Sequence, residues 1–90
     1  MERNSFRRHD AVMVREIDGE LVPLDTRSNR VHQLNRTASV IWRMAENEGA
    51  ATEQIAAALV LEFAVTYETA MNDVVETLTM LRSLDLLASG

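Results

Sequence analysis

Residues 34–45, LNRTASVIWRMA, limit what this chain can become, because within them a strand-like segment hands over to a helix through one polar residue. Asn35 suits the cap of that helix, since its side chain accepts a hydrogen bond from an otherwise unpaired N–H of the first turn. Residues 36–46 then follow with helical spacing. Ala38, Ile41, Trp42 and Ala45 form one apolar stripe, while Arg36, Thr37, Ser39, Arg43 and Glu46 occupy the rest of the circumference. Trp42, the only tryptophan, is the expected centre of the core. Everything before this stretch reads as β, and everything after it as α.

A chain of 90 residues holds one domain with a modest core. The expected division is a flexible N-terminal arm over 1–10 and a single domain over 11–90. Hydrophobic content of 47% with 26% charged residues is that of a globular protein, and an aromatic share of 4% leaves Leu, Val, Ile, Met and Ala to fill the interior. With no cysteine there is no disulfide framework or thiolate metal site. No apolar run is long enough to span a bilayer, and MERNSFRRHD lacks the apolar stretch of a signal peptide. A cytoplasmic protein with no membrane partner is expected.

In order, residues 1–10 have no periodicity and are expected to fray. Residues 12–17 and 20–25 are strands joined by Asp18-Gly19, a pair that closes hairpins because both positions tolerate positive φ. Pro23 cannot donate to a ladder, so its nitrogen is expected on a free side or at a bulge. A turn over 26–29 leads to a third strand at 30–34, completing an antiparallel meander. Alternation sets Val31 and Gln33 on one face and His32 and Leu34 on the other without saying which is inward. Gly49 ends the first helix and Thr52 is expected to cap the second, whose inward residues are Ile55, Ala58, Leu59 and Phe63. Thr66 caps a third helix over 67–84 with Met71, Val74, Val75, Leu78 and Leu81 on one side and Asp73, Glu76, Thr77 and Ser83 on the wetter side. Leu86 and Leu87 are expected to fold back on the core.

All nine basic residues are arginine and they are unevenly placed: residues 1–45 carry +2, residues 46–90 carry −7, and the whole −5. So acidic a helical half repels phosphate. The two histidines, His9 and His32, stand in no metal-ligand spacing, no serine has a nucleophile-elbow context, and the three glycines form no phosphate-cradling loop. No cofactor or metal is expected, and an enzyme acting alone is the least favoured class. The methionines (Met1, Met13, Met44, Met71 and Met80) read most simply as initiator and packing residues, with an adaptable groove on the long helix as the alternative role for Met71 and Met80.

These residues carry a resemblance. The hairpin, then Leu34, Asn35, Thr37, Ala38, Ile41 and Trp42, then Thr52, Ile55, Ala56 and Leu59, then Phe63 and Val65, and finally Leu81, Leu84, Leu86 and Leu87 make the chain similar to the PqqD-like family. That family comprises small precursor-peptide recognition domains of ribosomal peptide biosynthesis, including the one that supports pyrroloquinoline quinone synthesis. Asp85 departs from a family pattern that often has glycine there, and Pro23 interrupts the second strand.

The resemblance implies an α+β, winged-helix-like fold, with a three-stranded antiparallel sheet followed by three helices. It also implies a leader peptide added as a strand beside the third strand, with side chains in a groove against the third helix. The matching positions are Arg30, Val31, His32, Gln33 and Leu34 for the edge and Met71, Val74, Val75 and Leu78 for the pocket, core packing being the weightier role for Val74 and Leu78. The implied partners are the precursor's leader and a modifying enzyme, such as a radical S-adenosylmethionine enzyme or a leader peptidase. A free edge also invites a homodimer. The rival is a winged-helix DNA-binding regulator, disfavoured because residues 53–63 hold no basic residue and 67–84 hold only Arg82.

Overall fold

The computed structural model describes residues 6–89. Its elements are β1 (Phe6–Arg8), β2 (Val12–Ile17), β3 (Glu20–Asp25), β4 (Arg30–Val31), α1 (Arg36–Asn47), α2 (Thr52–Phe63), α3 (Tyr67–Ser83) and β5 (Leu87–Ser89). The architecture is α+β: a β2-β3-β4 antiparallel meander, three helices, and a second sheet in which β1 pairs with β5.

The β2-β3 turn has the chemistry expected of it, with Asp18 at φ 53° and Gly19 at φ 82°. Register pairs Met13 with Leu24 and Leu24 with Val31, so β3 is central. Pro23 therefore lies in the middle strand, fully buried, rather than at a free edge. The sheet accommodates it because its carbonyl still accepts the His32 amide at 2.8 Å, and only the return bond is missing. With that bond missing, and the Leu21 amide donating to Ser39 Oγ in place of the Leu34 carbonyl, the regular strand covers Arg30–Val31 instead of running to residue 34.

Side-chain caps set the helix starts. Asn35 Oδ1 accepts the Ala38 amide at 2.8 Å, and Thr66 Oγ1 accepts that of Thr69 at 3.1 Å. At α2 the cap position belongs to Ala51 rather than Thr52, and the Gln54 side chain accepts the Ala51 amide at 2.8 Å. Asp85 takes the left-handed conformation (φ 56°) that ends α3, with the Leu86 amide returning to the Leu81 carbonyl. A position with that geometry is one where glycine is at ease, and aspartate is among the residues that tolerate it.

The core gathers on Trp42, with Ile41, Ala45, Ile55, Leu59, Val74, Leu81, Leu86 and Leu87 around it. On α2 the buried residues are Ile55, Ala56 and Leu59, whereas Ala58 and Phe63 are half-buried, so the inward face is turned slightly from the expected one. Ser39, expected on the polar circumference of α1, is fully buried. Phe6–Arg8, part of the arm that has no sequence periodicity, forms a strand paired in register with Leu87–Ser89. Buried Phe6 anchors it, and Arg8 grips Glu46 through two 2.9 Å hydrogen bonds. Glu46 also accepts the Trp42 indole N–H at 2.9 Å. Residues 1–5 of that arm lie outside the described residues.

Candidate functional site

The free edge of the meander is β4 and the three residues after it. Beyond the β3–β4 pairing of Asp25 with Arg30 and Leu24 with Val31, two further bonds tie this segment to β3, from the His32 amide to Pro23 (2.8 Å) and from the Leu34 amide to Leu21 (2.9 Å). Antiparallel strands alternate bonded and non-bonded pairs, so the amides and carbonyls of Val31 and Gln33 point away from β3, on the side where the sheet has no further strand. Burial resolves the alternation: Leu34 is buried and His32 half-buried, whereas Val31 is 65% exposed and Gln33 lies on the outer face. The Gln33 side chain donates to Glu20 at 3.2 Å across the sheet, which holds that outer face in place.

Below this edge runs a groove of about 420 Å³, lined by Gln33, Leu34 and Asn35, by Thr37 and Ala38 of α1, and by α3. The α3 residues are Asp73, Glu76, Thr77 and Met80. Ala38 is small and Asn35 is committed to capping, so the first turn of α1 leaves room between β4 and α3. The edge and the groove together offer hydrogen-bonding backbone above and a mixed apolar and acidic trough below.

The structure brings the strand residues of the expected site to this edge but places the helical ones elsewhere. Val74 and Leu78 are buried in the core, Met71 packs half-buried against it, and Val75 is 52% exposed. At 3.6 residues per turn, Met71 and Val75 fall on the flank of α3 opposite Asp73, Glu76 and Met80. The groove residues had a signal in the sequence, since Asp73, Thr77 and Met80 recur at i, i+4 and i+7 beside the apolar stripe. Apolar periodicity alone does not mark such a flank.

The electrostatics of the site are set by what is unpaired. Asp25, Glu16 and Glu46 each hold an arginine, through Arg27, Arg43 and Arg8. The Arg27 hydrogen bonds keep the Asp25 carboxyl below its ordinary value. Among the described residues Asp73 and Glu76 have no such partner. Among the described residues no three His, Cys, Asp or Glu side chains gather to hold a metal, and no helix is long and apolar enough to cross a membrane.

Residues 20–87 match the family described as coenzyme PQQ synthesis protein D (PqqD). Two solved structures share the fold. Lasso peptide synthetase B1 complexed with the leader peptide superposes with a TM-score of 0.84 at 28% identity, over 93% of this chain and 98% of that one. TbiB1 in complex with the TbiA(beta) leader peptide gives 0.77 at 31% identity, over 90% and 93%. No curated protein matches. Nothing in these matches points to DNA, and the helices agree: α2 has no basic residue and α3 only Arg82, in its last turn.

Proposed function

The chain belongs to the PqqD family, and from that premise we propose that it binds the leader segment of a ribosomally made precursor peptide as a strand beside β4. It then presents the peptide to a modifying enzyme without catalysing a step itself. The observation that carries this reading is the open edge at Val31 and Gln33 above a groove, in a fold that two neighbours carry together with a leader peptide. An added strand gains ladder bonds from those two residues, each worth about 0.5 to 1.5 kcal/mol net, and burial of side chains along the groove adds to them.

The partner enzyme is of the class that acts on such precursors, for example a leader peptidase or a radical S-adenosylmethionine enzyme, and the setting is the cytoplasm. One neighbour is a lasso peptide synthetase component, which makes a lasso-type leader the first to test. In the absence of peptide the same edge supports pairing of two copies at high concentration. Titration of the isotope-labelled protein with candidate leaders, the TbiA(beta) leader among them, is the test. Shifts concentrated at residues 30–35 and on the groove flank of α3 are expected, and shifts confined to other surfaces would refute the binding mode.

A further inference from the structure

We propose that the groove selects leaders carrying a lysine or arginine at the residue that lies opposite Leu34, and that Asp73 and Glu76 read that charge. The inference rests on the leader-binding reading and adds a specificity to it. In a strand added beside β4, side chains alternate between the two faces, so the residue opposite Leu34 shares its inward face and points into the groove. What it meets there is a floor of Leu34, Ala38 and Met80 and a wall of Asp73, Glu76 and Thr77.

That lining suits one kind of side chain. A long aliphatic stem lies along Ala38 and Met80, the methionine adapting to its course, while a cationic head reaches the carboxylates at the rim. The two acids are free to receive it, because among the described residues neither is held by an arginine, unlike Asp25, Glu16 and Glu46. The only basic residue of α3, Arg82, lines a different depression with Thr79 and Ser83. An apolar side chain in the groove would strip water from two carboxylates and give nothing in return, and an acidic one would be repelled. Arg30, four residues before Leu34 and exposed, sets the opposite sign at the other end of the edge, so a basic residue is favoured at the groove end alone.

The test uses the TbiA(beta) leader peptide, synthesised as a series in which each position in turn is Lys, norleucine or Glu, with binding read from the Val31 and Gln33 amides. One position is expected at which Lys binds about fivefold more tightly than norleucine, with Glu weaker than both. That preference should vanish in the Asp73→Asn/Glu76→Gln double variant and shrink in high salt, and persist in Glu68→Gln, which removes an acid outside the groove. Equal binding of Lys and norleucine at every position, or a preference that survives the double variant, overturns the charge reading while leaving leader binding intact. No shift at Val31 or Gln33 with any peptide of the series overturns the leader-binding reading, and this one with it.

Discussion

The Ser39 hydroxyl joins Leu21 to Leu34: it accepts the Leu21 amide at 2.8 Å and donates to the Leu34 carbonyl at 3.3 Å. The two residues stand opposite one another, and the Leu34 amide donates directly to Leu21. The return bond therefore runs through a side chain of α1, which ties the helix to the strand edge. Ser39→Ala leaves the Leu21 amide unpaired in a buried place, at a cost of about 1 to 3 kcal/mol. Denaturant unfolding should show a lower midpoint at unchanged slope, and an unaltered midpoint would mean that water replaces the hydroxyl at no cost.

Ser39 also shows where sequence stops being informative. Its neighbours Ala38, Ile41, Trp42 and Ala45 announce a buried stripe by spacing, and Asn35 and Thr66 announce caps by chemistry. A serine beside that stripe reads as solvated, because its burial depends on a strand amide 18 residues away. Phe6–Arg8 is silent for the same reason, since its pairing partner, Leu87–Ser89, lies at the far end of the chain. For the site, alternation along 30–34 showed that one pair faces inward but not which, and the apolar periodicity of α3 drew in two core residues, Val74 and Leu78, and two on the far flank, Met71 and Val75, rather than the residues that line the groove. Both choices depend on how α3 is set against β4, which is tertiary information.

Trp42 is 1% exposed, and its indole N–H meets Glu46 while the Arg8 guanidinium sits 6.0 Å from the ring centroid. Trp42→Ala should cost about 3 to 5 kcal/mol, enough to unfold much of a domain this small. Trp42→Phe keeps most of the volume and removes the donor, so its loss should be a small fraction of that. Thermal melts of the pair separate packing from the hydrogen bond, and equal losses would show that the Glu46 contact dominates.

Acid should release one defined contribution. Asp25 is held below its ordinary value of 3.8, chiefly by the Arg27 side-chain hydrogen bonds, with burial opposing. A depressed folded value means stability that is complete above 3.8 and lost as the pH falls from there through the lower folded value. Asp25→Asn should be less stable than the parent at neutral pH, and the gap should close on acidification. A gap that stays constant into strong acid would show that the carboxylate charge does not matter.

Val31 tests the edge itself. Its amide points away from β3, and its side chain is exposed, so Val31→Pro removes a donor that the fold does not use. The expected result is a nearly unchanged melting temperature with leader affinity reduced several-fold, the loss of one ladder bond plus a clash with the incoming strand. Leader binding at parental affinity by a folded Val31→Pro protein would move the added strand away from β4.

The two methionines of α3 separate the flanks of that helix. Met71 and Met80 are nine residues apart, about two and a half turns, and so project from opposite sides. Met80 lines the groove, whereas Met71 packs half-buried against the core. An aspartate in place of Met80 removes the apolar floor along which the aliphatic stem of a leader side chain lies, and desolvating the new carboxylate against that stem costs more than it returns to a cationic head already met by Asp73 and Glu76. Binding should fall by about tenfold or more while the exposed position limits the cost to folding. Met71→Asp should do the reverse: a charge set against the core lowers stability, and the fraction that remains folded binds as the parent does. Measuring affinity below the melting transition of each variant keeps the two effects apart. If Met71→Asp weakens binding at full folding and Met80→Asp does not, the leader lies on the other flank of α3 and the groove beneath β4 is not its site.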